Sequence, residues 1–265
     1  MDLPIQRLNE LYKDPRVNQV SSFGRMAAGI RPTDIIESYV RARDSAPRRH
    51  VHGKDYFVDH SSSSGRSEIS NRKEEHLALA LWGASHSGYS TALPSGESLE
   101  IIDYQMPLKA QRRDAGVGKV DLVGLVDRNR FTVIELKVRP SGNRSGDTPL
   151  RAYLEALAYC AIVEANLEDI AEELKIRLNG EIQISALNLL IMAPQDYWTG
   201  YFEHSVAGKW WPTLRKLAAD IDESLGLHSK FLALRDVELR MGTSETLPRL
   251  SNDVSLSDVA ELAGQ

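Results

Sequence analysis

The sequence predicts an α/β fold in which a central mixed sheet is flanked by helices. Two apolar runs, residues 119–126 and 130–138, are separated by a short polar turn and have the composition of strands. A helical pattern follows at 149–166, and the run at 181–194 is apolar on both faces, as expected of a central strand. Strands and helices that alternate in this order predict a sheet covered by helices.

Composition sets the class of protein. The chain has 265 residues, 42% of them hydrophobic, and a net charge of -5, which is ordinary for a protein with a full core. No apolar run approaches the roughly 20 residues needed to cross a bilayer, and the N-terminus has no apolar signal core, so we expect a cytoplasmic protein. The single cysteine, Cys160, excludes a disulfide framework within one chain and is expected to be a buried structural thiol.

The first part of the chain predicts a helical extension followed by a polar loop, residues 1–67. Residues 3–13 and 32–43 have amphipathic helical patterns, and the second begins at Pro32, a residue favoured in the first turn. The loop has three histidines, His50, His52 and His60. Without a periodic scaffold to hold them together, we do not favour a metal site there.

The predicted core, residues 68–194, begins with a helix. Ser70 or Asn71 can cap it, and the helix runs to about Trp82. Glu74 has the capping-box position and projects toward the apolar face, so it can be a helix cap or a ligand at a site, and both roles stay open. Glu75 points elsewhere. A strand is predicted at 99–107.

Three charged residues interrupt the apolar strands: Asp121, Glu135 and Lys137. Residues i and i+2 of a strand share a face, so Glu135 and Lys137 point the same way, with Leu136 opposite them. If 127–129 form a three-residue loop, with Asn129 in the left-handed conformation, paired residue numbers sum to 256 and Asp121 lies across from Glu135. A two-residue turn would place Asp121 on the other face.

Converging carboxylates predict a bound cation. Without one, Asp121 and Glu135 would repel and one of them would hold a proton. Mg²⁺ accepts hard oxygen ligands, binds through one or two protein carboxylates together with substrate phosphate oxygens, and lowers the pKa of its bound water. Lys137 would then face the scissile phosphate. An ordinary half-buried strand also has Glu and Lys side by side, so ExK alone is a weak signal.

The spacing of Asp121 from Glu135, Leu136 and Lys137, after a helix that carries glutamate, resembles the PD-(D/E)xK nuclease superfamily over about residues 71–194. The resemblance implies a restriction-endonuclease-like αβββαβ core, with Lys137 as the catalytic lysine. It implies that the metal ligands are Asp121, Glu135 and Glu74, with Glu75 as the fallback. Val120 stands where the family often has proline.

The helix that follows these strands departs from the exonuclease branch of the superfamily. That branch has glutamine and, four residues later, tyrosine; this chain has Glu155 and Tyr159 at that spacing. An ionised Glu155 cannot donate a hydrogen bond as glutamine does.

Beyond the core we expect an addition packed on it, residues 195–241, and a flexible tail, residues 242–265. Residues 195–211 are rich in aromatic side chains, which can stack on bases but more often pack under a following helix, here 210–225. A last strand is predicted within 230–241.

These observations predict a Mg²⁺-dependent deoxyribonuclease, with Mn²⁺ able to replace Mg²⁺. Residues 101–151 have ten Lys or Arg against six Asp or Glu, so a surface there can follow a phosphate backbone. The expected partner is nucleic acid, with DNA favoured over RNA, and a homodimer is left open. Candidate contacts are Arg112, Arg113, Lys119 and Arg151. The alternatives are a catalytically silent nuclease-fold module that binds nucleic acid or a protein, and a nuclease effector regulated by a ligand.

Overall fold

The structure is a computed structural model that describes residues 8–60, 73–89, 91–114, 116–139, 146–180, 182–203, 210–242 and 246–263. Within these ranges the helices are α1 (Leu8–Leu11), α2 (Phe23–Gly29), α3 (Pro32–Asp44), α4 (Lys73–His86), α5 (Pro149–Ala165), α6 (Leu167–Arg177), α7 (Gln195–Phe202) and α8 (Trp210–Leu225). Short 3₁₀ turns lie at His50–His52 and Val259–Glu261.

The strands form one large mixed sheet and a small ribbon. They are β1 (Thr91–Ala92), β2 (Ser98–Pro107), β3 (Lys119–Val126), β4 (Arg130–Leu136), β5 (Ala186–Pro194), β6 (His228–Arg235), β7 (Leu239–Arg240), β8 (Arg249–Leu250) and β9 (Ser255–Asp258). The large sheet has the order β1-β2-β3-β4-β5-β6-β9, while β7 pairs with β8. Because β4, β5 and β6 run parallel and the other neighbours antiparallel, the predicted α/β class with a mixed sheet is confirmed.

Apolar side chains cover both faces of the sheet. On one face, Leu122, Ile134 and Leu136 pack in a core with Leu77 and Leu81 of α4. The other face packs on α5 in a second core, which includes Val123, Val133, Leu154 and Leu157. Burial on both faces explains why the central strands have continuous apolar runs instead of simple alternation.

The hairpin between β3 and β4 has the predicted register. Val126 pairs with Arg130 and Leu122 with Ile134, so paired numbers sum to 256 around a three-residue loop. The left-handed residues are Asp127 (φ 47°) and Arg128 (φ 59°), so the expectation for Asn129 was wrong. Positive φ at both central residues of the turn matches the right-handed twist of the strands. Asp127 is further held by hydrogen bonds in both directions with the backbone of Ser98.

The N-terminal segment is part of the main core. Leu8, Phe23 and Tyr39 are fully buried in the same core as α5. Of the predicted helix at 3–13, the described part forms α1 and a following turn, and the helix predicted at 32–43 is α3. The candidate caps Ser70 and Asn71 lie outside the described residues, and α4 continues beyond Trp82 to His86.

The C-terminal segment differs from the prediction in two respects. The last strand predicted at 230–241 is divided into β6 and β7, and neither is the last strand. Part of the predicted flexible tail, residues 242–265, forms β9, which pairs with β6 at the edge of the sheet. Val254, Leu256 and Val259 are buried there. These few apolar residues pack the segment against the sheet although its composition is mostly polar.

The aromatic residues after β5 are packing residues. Trp198 and Trp210 are almost completely buried, and the indole N–H of Trp198 donates to the Leu232 carbonyl. These two indoles are therefore not free to stack on bases. Cys160 is buried, as predicted. No helix among the described residues is long and apolar enough to cross a membrane.

Two glycines test the sheet packing. A Cβ at Gly124 of β3 would lie 2.6 Å from the Glu100 carbonyl oxygen, whereas a Cβ at Gly83 of α4 would meet nothing within 4 Å. We expect Gly124→Ala to lower the free energy of unfolding by about 1–3 kcal/mol. Gly83→Ala should raise it by about 0.5–1 kcal/mol, because alanine is a better helix former. Urea denaturation measures both changes; an equal effect of the two substitutions would contradict this packing.

Candidate metal centre

The β3–β4 hairpin places the three predicted strand residues together. Asp121 lies in the third position of β3, Glu135 is next to last in β4, and Lys137 follows the end of that strand. The amide of Leu136 donates to Asp121 Oδ2 over 3.0 Å, which joins the two strands at this point. The last recorded pair is Leu122 with Ile134, and the same register continued by one residue aligns Asp121 with Glu135. Leu136 packs in the opposite core, as predicted.

Lys137 lies at the centre of the cluster. Its side chain is 5% exposed, and its Nζ lies 2.5 Å from Glu135 Oε1, 3.6 Å from Asp147 Oδ2 and 3.8 Å from Glu155 Oε2. Burial acts to lower the pKa of Lys137, but Glu135, Asp121, Glu74 and Glu155 outweigh it and raise the pKa well above its usual value. The lysine is therefore charged at neutral pH.

The pKa values of the acids are raised as well, which favours the neutral form of a carboxyl group. Burial raises the pKa of Glu135 well above its usual value, with Asp121 and Glu155 adding to the effect and Lys137 opposing it. Burial also raises the pKa of Asp121, where Glu155 again adds to the effect. Both carboxylates therefore hold a proton more readily than they would in water.

The first turn of α4 brings Glu74 to the same cluster. Its carboxylate accepts a hydrogen bond from the Val138 amide, and its pKa is raised by burial and by the neighbouring Asp121 and Asp147, against the pull of Lys137. The side chain thus reaches the strand end, which favours a site role over a purely local helix cap. Glu75, the fallback, is the next residue of the helix and is partly buried.

Among the described residues, acids outnumber bases in this cluster. The carboxylates of Glu74, Asp121, Glu135, Asp147 and Glu155 surround the ammonium of Lys137, with the Arg151 guanidinium 3.0 Å from Asp147. Glu135 Oε2 is buried and has no hydrogen-bond partner among the described residues. An excess of hard oxygen donors with an unpartnered buried oxygen suits a divalent cation.

Two residues of the cluster were not nominated from the sequence. Asp147 is held from several elements: Asn18 and Arg151 donate to its carboxylate, and the hydroxyl groups of Tyr197 and Tyr201 donate to its carbonyl oxygen. Glu155 accepts from Tyr159 over 2.9 Å, at the spacing noted in the sequence. Asp147 comes from a polar loop without periodicity, so only long-range contacts reveal it.

Two tyrosines form a wall beside the acids. The Tyr12 hydroxyl donates to the Gly116 carbonyl oxygen, and burial together with Glu155 and Glu135 raises the pKa of Tyr12 to about 12. A Cβ at Gly118 would lie 2.4 Å from the Tyr159 hydroxyl, so a residue without a side chain is needed there. Tyr12 and Tyr159 also border a cavity of about 670 Å³ between the N-terminal helices and α5.

The histidines lie outside this cluster. Ligand atoms of His50, Asp55 and Glu173 lie within 4.8 Å of one another. Among the described residues, the carboxylate oxygens of Glu74, Asp121 and Glu135 are not all this close together. The His50 ring already contacts Glu173 and Asp169 through its two nitrogens, so its imidazolium occupies the place of a cation. His52 contacts Gln111, and His60 bonds to the buried Asp103.

The candidate nucleic-acid contacts are divided between two places. Arg112, Arg113 and Lys119 are exposed, and Arg113 borders the cavity together with Tyr159. Arg151 instead belongs to the acidic cluster through Asp147.

Comparison with known proteins gave no assignment: no family model, curated protein or solved structure matches this chain.

The crowding of acids predicts a stability that depends on pH and on metal. Because the pKa values of Glu74, Asp121 and Glu135 are raised in the folded protein, their contribution to stability is present at low pH and is lost as the pH rises through these values. We expect Asp121→Asn to raise the melting temperature of the metal-free protein at about pH 8 and to have less effect near pH 5. Adding Mg²⁺ should stabilise the wild type at about pH 8 but not this variant.

Calorimetry at the two pH values measures these differences. Asp253→Asn is the matched control, because Asp253 is exposed. If Asp121→Asn melts at a lower temperature than the wild type at about pH 8, and Mg²⁺ does not raise the melting temperature of the wild type, the acids do not repel one another.

Proposed function

We propose that this protein is a metal-dependent nuclease that hydrolyses phosphodiester bonds, with DNA as the favoured substrate. The observation that carries the proposal is the excess, among the described residues, of buried and half-buried carboxylates around Lys137 at the ends of β3 and β4. Buried acids without compensation are costly, and a site that keeps them is suited to holding a cation.

The order of elements supports the same proposal. Glu74 comes from the helix before the three antiparallel strands β2, β3 and β4, and Glu155 comes from the helix that leads to the parallel strand β5. Apart from the two-residue strand β1 and the helix α6, this order is similar to the αβββαβ order expected of a restriction-endonuclease-like core. The PD-(D/E)xK resemblance would assign Asp121, Glu135 and Lys137 to its metal site and catalytic lysine.

The carboxylates of Asp121, Glu135 and Glu74 would hold a Mg²⁺ or Mn²⁺ ion. A bound ion of this kind lowers the pKa of a coordinated water and offsets negative charge on a phosphoryl group. Two observations support such an ion: the donors are hard oxygens, and Glu135 Oε2 has no hydrogen-bond partner among the described residues. The ligand atoms of Asp121, Glu135 and Glu74 do not all lie within 4.8 Å of one another, so a bound ion would draw them closer together.

Lys137 would provide the fixed positive charge at the scissile phosphate. The surrounding acids keep the ammonium protonated, and Glu135, Asp147 and Glu155 contact it from different elements, which limits its movement. An ammonium that is already oriented stabilises charge that develops on phosphate oxygens without reorganisation at the moment of reaction. It can also orient the attacking water through a hydrogen bond.

Substrate would approach along the loop between β2 and β3. Asp114 caps this loop by accepting from the amides of Ala110 and Gln111, which leaves Arg112 and Arg113 exposed at its tip. The loop returns past Gly116 and Gly118 to Tyr12 and Tyr159, beside the acids. Exposed guanidinium groups on a loop that leads to the acids suit the phosphate backbone.

The catalytic proposal is tested by incubating plasmid DNA, linear DNA and RNA with the purified protein and Mg²⁺ or Mn²⁺. We expect metal-dependent cleavage of DNA and a loss of about 100-fold or more in Asp121→Asn, Glu135→Gln and Lys137→Met, because each removes a ligand or the fixed charge. Glu74→Gln should also reduce the rate, whereas the matched change Glu75→Gln should leave it unchanged. Cleavage that survives all of the first three substitutions would refute the mechanism.

The substrate path makes a separate prediction. Replacing Arg112 and Arg113 by alanine should raise KM with little change in kcat, since these side chains would hold substrate away from the reacting atoms. The slope of the logarithm of affinity against the logarithm of salt concentration should become less steep by about one for each phosphate contact that is lost. Arg215→Ala, which removes an exposed arginine on α8, is the control. Equal salt dependence in all proteins would place the nucleic acid elsewhere.

A further inference from the structure

We propose that Gln105 is a positioning residue that fixes the carboxylate of Asp121 for metal binding. This inference rests on the proposed function, since it gives Gln105 a role only if Asp121 is a metal ligand. Two independent features of Gln105 carry it: an unusual backbone conformation within a strand and a side-chain contact with Asp121.

The backbone of Gln105 is left-handed, with φ at 52°, inside strand β2. Non-glycine residues rarely adopt this conformation, and in a strand it is unfavourable unless the surroundings impose it. Such strain is concentrated at functional sites. An amide with a long, flexible side chain gives no local reason for it, since asparagine or glycine would suit the conformation better.

Pairing places Gln105 beside the candidate ligands. Tyr104 pairs with Leu122 and Met106 with Val120, so Gln105 lies across from Asp121 in β3. The β3–β4 register, continued by one residue past the last pair of Leu122 with Ile134, aligns Asp121 with Glu135 in turn. Gln105, Asp121 and Glu135 therefore occupy one row across three neighbouring strands.

The strand changes direction at this row. Tyr104 and Leu122 pack in the core beside α4, whereas Met106 and Val120 pack in the core beside α5. Residues two apart in a regular strand share a face. Here they face opposite cores, so the side-chain alternation of both strands is interrupted between these two pairs. The left-handed residue lies at the point where the interruption occurs, next to the cluster of acids.

The side chain uses this geometry to hold Asp121. Gln105 Nε2 donates to Asp121 Oδ1 over 3.1 Å, while the Leu136 amide donates to Oδ2 over 3.0 Å. Each carboxylate oxygen can accept two hydrogen bonds. One bond to each oxygen therefore orients the group and leaves a lone pair on each oxygen for a metal. Partners of this kind orient metal ligands, and their loss commonly weakens metal binding by about 10–100-fold.

Replacing Gln105 by asparagine separates this role from a structural one. Asparagine tolerates the left-handed backbone but is too short to reach Asp121 in the same way. We expect Mn²⁺ affinity, measured by isothermal titration calorimetry, to fall by about 10-fold in Gln105→Asn. The melting temperature without metal should stay equal to the wild type or rise. Gln183→Asn, the same change at an exposed position before β5, should leave both measurements unchanged.

The outcomes distinguish the two proposals. If the wild type binds no Mn²⁺, the metal site itself is wrong and the role of Gln105 falls with it. If the wild type binds Mn²⁺ and Gln105→Asn binds it equally tightly, only the role of Gln105 is refuted. A melting temperature that falls by several degrees together with the affinity would assign Gln105 a structural role and would also overturn the inference.

Discussion

The contact between the Lys137 ammonium and the Glu135 carboxylate is the interaction on which the site depends. Both side chains are almost completely buried, and the pair is surrounded by Asp121, Glu74 and Glu155. A lone buried lysine would lose its proton, and these acids without it would be protonated or would repel one another. The charge of the lysine offsets part of the repulsion among these acids, but one ammonium group cannot neutralise all of them. On the proposed function, the remaining negative charge is what a metal ion would offset.

The fold brings these groups together from distant parts of the chain. The β3–β4 hairpin provides the row that contains Asp121 and Glu135, and the helices on its two faces bring Glu74 and Glu155 to the strand ends. The N-terminal turn and α7 then fix the loop of Asp147 through Asn18 and the tyrosine hydroxyl groups. The segments that flank the core are therefore part of the site, because they hold the acids around the lysine.

Local rules were enough to predict the centre of this arrangement. Strand alternation placed Glu135 and Lys137 on one face, and the length of the loop gave the register that aligns Asp121 with them. The same rules failed where long-range contacts decide. Asp147 meets Asn18 across 129 residues, and the pairing of β9 with β6 depends on packing that its own polar sequence does not show. The left-handed conformation of Gln105, inside a strand, is likewise opposed to the preference of glutamine itself.

The most direct test of the account is the position of a bound ion. Crystals soaked in Mn²⁺ would locate the metal by its anomalous scattering. The account predicts a peak within ligand distance, about 2.0–2.3 Å, of carboxylate oxygens of Asp121 and Glu135, with Lys137 beside it. A peak only at His50, Asp55 and Glu173, or no ordered ion in crystals of a protein that is fully folded, would contradict the claim that the buried acids form a metal centre.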